Sequence, residues 1–214
     1  MIKTTAILLS ILYSLSIFAF TLPWNKPDHN DPYSRRYKKV LDNQIGTHEQ
    51  GPLIQQLLDQ GFELGAPVLL RAFKINFLQG LSKDDSKNDQ GTLELWIKDR
   101  HVYRLFKSYP IIKHSGDLGP KLVEGDRQVP EGFYEINFEW MNFKSRFHLS
   151  MNVGFPNEYD KAHNRTGKYI MVHGSNRSIG CLAMGDDAIE EIFIIVEKAT
   201  KLGNKTVPIN IYPF

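Results

Sequence analysis

A chain of 214 residues, 42% hydrophobic and 12% aromatic, is long enough for one domain with a substantial core. Its 26 basic and 24 acidic side chains leave a formal charge of +2, a balance that gives no electrostatic footprint for nucleic acid. A single cysteine, Cys181, excludes an internal disulfide.

Met1 to Thr5 carries Lys3 and leads into Ala6 to Phe20, an uncharged apolar run. Its length suits a secretory signal and falls short of the about 20 residues that span a bilayer. Residues 1–20 therefore read as a signal peptide, or as an uncleaved anchor giving transient membrane association, in an exported protein. No cysteine follows the run, which excludes a lipoprotein anchor. Residues 21–65 read as an N-terminal extension. Pro23, Pro27 and Pro32 suggest an extended lead, and Arg35, Arg36, Lys38 and Lys39 form either a contact for an acidic polymer or lipid surface or the solvated face of a helix or linker. Pro52 to Gln60 places Leu53, Ile54, Leu57 and Leu58 at helical spacing, and Gly61 ends it.

Strand patterns dominate residues 66–214. Pro67 to Phe77, Thr92 to Lys98 and Val102 to Ile112 alternate apolar and polar positions, although Trp96 interrupts a clean two-face pattern. Gln79 to Gly91 reads as a surface loop, and Asp99-Arg100 as a tight hairpin connection. His114 to Pro130 is too rich in Gly and Pro for a regular element; it is either a functional loop or a long crossover. Phe133 to Phe138 and Phe147 to Phe155 read as further strands, joined by a connection containing Trp140 and Phe143 that suits a core or a cleft wall.

Pro156 to Lys168 is polar, with Tyr159 and His163 as residues that either bind substrate or hold the loop's own hydrogen bonds. No His, Asp, Glu or Cys set has ligand-like spacing, so no metal is assigned. Beyond Met184, Ile189, Ile192, Phe193, Val196 and Ala199 follow helical spacing over Ala188 to Leu202. Asp187 and Glu190 resemble a capping box, and Gly203 supplies a stop. Val207 to Tyr212 closes the chain as a strand. The sum is a mainly β fold with accessory helices, of α+β class.

The chemistry concentrates in Tyr169 to Met184, YIMVHGSNRSIGCLAM. Tyr169 to Val172 has the character of a buried strand, so His173-Gly174 emerges on a rigid element. Eight residues on, Gly180 permits a tight bend before the thiol. A thiol attacks as thiolate, and free cysteine has a pKa of about 8.5, so a neighbouring imidazole is its usual activator. His173 fits that part, and the backbone N–H groups of Gly180 and Cys181 could face an oxyanion. The alternative is a buried, inert thiol beside a hydrogen-bonded strand-end histidine. In an exported chain a free thiol is exposed to oxidation.

HGSNRSIGC resembles the active-site motif of YkuD-type L,D-transpeptidases, in which an HG pair precedes an S-x-G-C turn. The commoner version has a longer gap and a second histidine two places before the cysteine, where this chain has Ile179. The short HG-x6-C loop is similar instead to the YafK-like branch, as are SGDLGPKLVEGDRQVPEGFYEI from Ser115 to Ile136, NVGFPNEYDKAH from Asn152 to His163, and the final IYPF. Pro130-Glu131-Gly132-Phe133 resembles the family's T-P-x-G-x-[FY] strand entry, with Val129 in place of the threonine.

The resemblance covers roughly residues 66–214 and implies a YkuD-like β-sandwich with one long helix after the cysteine, acting on peptidoglycan stem peptides without a cofactor. It implies Cys181 as nucleophile attacking a diaminopimelate carbonyl to give a thioester, His173 as general base and acid, the Gly174 carbonyl as its orienter and Gly180 as an oxyanion donor. Arg177, Ser178, Tyr159 and His163 are the expected substrate contacts, Arg177 through a carboxylate or else as a plain loop charge. An amine acceptor would give transpeptidation; water would give carboxypeptidase action, or amidase action that frees a murein-bound lipoprotein. An inactive peptidoglycan-binding module is the remaining alternative. The expected location is the periplasm or cell envelope of a Gram-negative-type bacterium.

Overall fold

The computed structural model describes residues 33–75, 91–202 and 204–214. The predicted signal or anchor, the extended lead up to Pro32, most of the 79–91 loop and the Gly203 stop lie outside them. The chain runs through helices α1 (Arg35–Gln44) and α2 (Pro52–Asp59), strands β1 (Val68–Phe73), β2 (Gly91–Asp99), β3 (Val102–Ile111), β4 (Gly132–Asn137), β5 (Met141–Asn142) and β6 (Ser150–Asn152), helix α3 (Glu158–Ala162), strands β7 (Met171–His173) and β8 (Leu182–Ala183), helix α4 (Asp186–Lys201) and strand β9 (Thr206–Tyr212).

Two sheets result, one ordered β3-β2-β1-β9-β4 and one ordered β5-β6-β7-β8. Pairing is antiparallel except for β1 with β9 and β7 with β8. The mainly β, α+β class with one long helix after Cys181 is the architecture the sequence predicts. Helix α4 buries Ile189, Ile192, Phe193, Ile194, Ile195, Val196 and Ala199, which is more than a single stripe. A helix apolar on most sides belongs inside a core, and α4 touches β1 and β9 of the first sheet and β6 and β7 of the second.

The helices at the start of the described chain join the same core. Ser34 caps α1 by accepting a hydrogen bond from the Tyr37 N–H, and Tyr37, Val40 and Leu41, at helical spacing, are buried in it. Arg35 and Lys39 are exposed on its other side, while Arg36 donates to the carbonyls of Ser145 and His148 at 2.8 and 3.0 Å, so the Arg35–Lys39 cluster is an outer helix face that is partly solvated and partly tied to the chain. Pro52 opens α2 at its first position, and Leu53, Ile54 and Leu57 turn inward. Tyr37, Phe143 and Phe193 pack as edge-on rings with centroids 4.9–5.3 Å apart.

Local departures from the predicted elements have simple causes. Trp96 does not break β2: Leu93, Leu95 and Ile97 are buried while Trp96 shares the outer face with Glu94, its ring lying 5.6 Å from the Arg71 guanidinium. The irregularity is a register shift between Leu95 and Trp96 against β3. The predicted strand over 147–155 contracts to Ser150–Asn152. Helix α4 begins two residues early, at Asp186, with Gly185 as its cap and no side-chain cap bond, so Asp187 and Glu190 do not form a capping box. Instead the Asp186 carboxylate accepts the Ser175 N–H at 2.7 Å and ties the helix start to the loop that follows His173. Among the described residues no helix is long and apolar enough to cross a membrane.

Candidate active site

The site is assembled by the parallel pair β7–β8. Val172 pairs with Leu182 and His173 with Ala183, so Cys181, one residue before β8, falls opposite Met171. The sulfur is turned toward that neighbour: Met171 N–H donates to Cys181 Sγ at 3.4 Å, and Tyr169 O lies 3.8 Å away. His173 and Cys181 therefore stand on adjacent strands two positions apart, an offset of about 8 Å between backbones given strand spacings of ~4.8 Å and ~3.3 Å per residue. No hydrogen bond joins imidazole and thiol. Catalytic contacts are commonly loose before substrate binds.

His173 ends β7 rather than following it and is 2% exposed. Its Nδ1 donates to Gly174 O at 2.5 Å, and the Phe147 ring packs on it at 4.9 Å. A proton held on Nδ1 leaves Nε2 with the lone pair. Burial lowers the imidazole pKa, opposed in part by the Gly174 carbonyl. Gly174 has no room for a side chain, since a Cβ there would come within 2.9 Å of the Phe147 carbonyl and 2.7 Å of the Asp186 carboxylate.

Between the two, the loop closes on itself. Gly180 adopts φ +97°, a left-handed conformation that favours glycine. The Cys181 N–H donates to Ser178 Oγ at 3.0 Å, and the same hydroxyl donates to Cys181 O at 2.6 Å. Ser178 thus grips the backbone of the cysteine. The Gly180 N–H donates to Ser115 Oγ at 2.5 Å, so both candidate oxyanion donors are held by hydroxyls in this arrangement. Cys181 is partly buried, and burial pushes its thiol up, with the Met171 N–H and the Lys121 charge pulling the other way. The resting pair is consequently a neutral thiol and a neutral imidazole.

Ser115 belongs to the irregular segment 114–130, which runs over the site as a strap. Its anchor is Lys74, just past β1 and fully buried. The Lys74 ammonium donates to the carbonyls of Asp117, Gly119 and Val129 at 2.6–3.3 Å and to Glu131 at 3.1 Å. Within the strap, Asp126 accepts from Lys121 at 2.5 Å and from the N–H groups of Leu122, Val123 and Gln128. Ser115 and Lys121 could be read from sequence only as members of a Gly- and Pro-rich segment. Lys74 gave no signal, because three of its four partners are backbone carbonyls and the fourth, Glu131, lies 57 positions away.

The remaining predicted residues lie apart from the sulfur's immediate neighbours. Arg177 is exposed and, among the described residues, has no ion pair. Tyr159 lies within α3 and His163 caps its end, their tilted rings 4.1 Å apart between centroids, and His163 Nδ1 donates to Tyr159 O at 2.9 Å, so each is engaged within its own segment. Two clefts flank the 174–180 loop. One, of about 280 Å³, is lined by Lys121, Glu124, Arg127, Lys168, Tyr169 and Ile179 among others. The other, of about 540 Å³, is lined by Ile112, Ser175, Met184, Asp186 and Asp187 among others. Among the described residues no three His, Cys, Asp or Glu side chains converge as a metal site.

Comparison with known proteins adds a family to this geometry. The sequence pattern of the YkuD family, described as the L,D-transpeptidase catalytic domain, matches residues 86–211. The chain is 42% identical over 151 residues to the protein named "Putative L,D-transpeptidase YafK" in Escherichia coli strains K12 and O157:H7; the match covers 71% of this chain and 56% of that protein. This chain thus spans little more than half the length of the curated relatives it matches. Among solved structures, the helical cell shape determining protein Pgp2 of Campylobacter jejuni aligns with a TM-score of 0.45 at 19% identity, covering 74% of this chain and 54% of that one. Bd1075 of Bdellovibrio bacteriovorus aligns with a TM-score of 0.42 at 20% identity, covering 71% and 49%.

Proposed function

Because the chain belongs to the YkuD family of L,D-transpeptidase catalytic domains, we propose that it is a cysteine acyl-transfer enzyme of peptidoglycan, working in the cell envelope on stem peptides. The observation that carries this reading is the β7–β8 register, which sets Cys181 beside the strand that ends in His173, with the imidazole Nδ1 pinned by Gly174.

The chemistry follows from the neutral resting pair. His173 Nε2 accepts the thiol proton as Cys181 Sγ attacks the diaminopimelate carbonyl of a donor stem. The charge that develops on the carbonyl oxygen is taken by the N–H groups of Gly180 and Cys181 once the hydroxyls of Ser115 and Ser178 give way; such a donor is worth roughly 100- to 1,000-fold in rate. Collapse of the tetrahedral species breaks the carbon–nitrogen bond, the imidazolium returns its proton to the departing amine, and a thioester remains on Cys181. An incoming amine or water, deprotonated by the same imidazole, attacks the thioester and frees the thiol.

The test is to incubate the purified protein with crosslinked, lipoprotein-bearing sacculi and identify the released fragments by mass spectrometry. New 3-3 links identify a transpeptidase, shortened stems a carboxypeptidase, and freed lipoprotein an amidase. Identical profiles from wild type and Cys181→Ala would overturn the acyl-transfer reading in favour of a binding module.

A further inference from the structure

The smaller cleft carries an unusual set of charges. Lys121 is 4% exposed, and its ammonium gives two of its three N–H donors to Asp126 and to the Val123 carbonyl, leaving one uncommitted. Arg127 and Glu124 line the same cleft, yet among the described residues neither side chain has an ion pair or hydrogen bond, with each other or with any neighbour. Lys168 sits over the Tyr169 ring at 5.5 Å. Opposite charges left unpaired in one cleft are free to meet a ligand that carries both.

The cleft also neighbours the sulfur: Tyr169, in its wall, has its carbonyl 3.8 Å from Cys181 Sγ. Its wall at Tyr169 and Ile170 continues into Met171, whose N–H donates to Cys181 Sγ. Arg127 and Tyr169 both hold φ of +58°, strain of the kind that collects at binding sites. At about 280 Å³ the space lies near the lower end of ligand clefts, about 300 Å³, which suits one residue rather than a whole muropeptide.

We infer that this cleft receives the free, zwitterionic amino-acid end of the donor's diaminopimelate side chain, with Arg127 and Lys121 on its carboxylate and Glu124 on its ammonium. The inference rests on the proposed peptidoglycan reading and sharpens it: a donor whose side-chain amine is already acylated in a crosslink loses its partner at Glu124 and is refused. Ile179, 77% exposed at the cleft edge, covers the methylenes between the two ends.

The experiment measures binding of three probes to the full chain carrying Cys181→Ala, by calorimetry. The probes are the tripeptide L-Ala-D-Glu-meso-diaminopimelate, the same peptide acetylated on the side-chain amine, and the same peptide with the side-chain carboxylate as an amide. The free peptide is expected to bind at least about tenfold more tightly than either blocked form, as loss of a charge-assisted hydrogen bond requires. Adding Glu124→Gln should erase the discrimination against the acetylated probe alone, and adding Arg127→Gln that against the amide alone. Equal affinity for all three probes, or a uniform loss in both variants, overturns the assignment. Thioester formation by the wild type is scored separately. Acylation with unselective binding removes the cleft and leaves the reaction; selective binding without acylation supports the cleft and removes the reaction.

Discussion

The Nδ1 of His173 donates to the carbonyl of the next residue, Gly174, at 2.5 Å, so a single residue fixes both the ring's orientation and its tautomer. Burial lowers the pKa of that ring from the ordinary 6.5 and raises that of the Cys181 thiol from 9.0. In the resting site neither group is charged near neutral pH. In the proposed mechanism the imidazole therefore works as a base during attack, and the thiolate is not preformed.

A pH profile follows from the sign of the His173 shift. Protonated imidazole cannot accept the thiol proton, so acylation falls as pH drops through the His173 pKa. Because that value is lowered, the acid limb lies below pH 6.5. Single-turnover acylation should show this limb in the wild type. His173→Gln should lose it and slow the step by about 100-fold or more, the usual worth of a general base. A limb unchanged in the variant would assign it to another group.

Ser178 is expected to hold the nucleophile in place. Ser178→Ala removes an acceptor from the Cys181 N–H and a donor to the Cys181 carbonyl, at a stability cost of about 1 kcal/mol. Acylation kinetics should show a lower kcat, about tenfold, with KM unchanged. A raised KM at constant kcat would place the hydroxyl on the substrate instead.

Lys74 fastens the strap that brings Ser115 to Gly180. Lys74→Met leaves three backbone carbonyls and Glu131 without their ammonium, a loss on the order of 3 kcal/mol for a buried pair broken on one side. Denaturant unfolding measures the total, and hydrogen exchange over residues 115–131 should show the strap opening first. Uniform loss of protection would make Lys74 an ordinary core residue.

Asp126 gives the strap a pH window. Burial would raise its carboxyl, but the Lys121 ammonium and the N–H groups of Gln128, Val123 and Leu122 outweigh it and hold the pKa at about 2, against the ordinary 3.8. A carboxyl lowered on folding contributes stability that is present above 3.8 and lost as pH falls toward 2. Asp126→Asn should flatten that part of the pH–stability curve. A slope unchanged in the variant would assign the acid sensitivity to other carboxylates.

The sequence is most legible where the signal is local. The stretch from β7 to Cys181 stands out because an apolar run, an HG pair and an S-x-G-C turn are contiguous, although the strand starts only at Met171 and leaves Tyr169 67% exposed; α4 stands out because its apolar residues recur at 3.6-residue spacing over 16 residues. Strands β5 to β8 span two or three residues each, too few for alternation to register, so 147–155 read as one strand. The α1 signal, Ser34 with Tyr37, Val40 and Leu41 behind it, was masked by four basic residues in the first turns. The Lys74 clamp and the Ser115 bond to Gly180 join residues 43 to 65 positions apart, mostly through backbone groups, and a sequence carries no trace of such contacts.

The most direct test of the covalent mechanism is the intact mass of the protein after brief exposure to a donor tetrapeptide stem. Acyl transfer through Cys181 predicts a mass gain equal to the tripeptide acyl group, mapped by peptide digestion to Cys181, released by hydroxylamine, and absent from Cys181→Ala. No adduct in the wild type while the peptide is consumed, or an adduct that persists in Cys181→Ala, would contradict it.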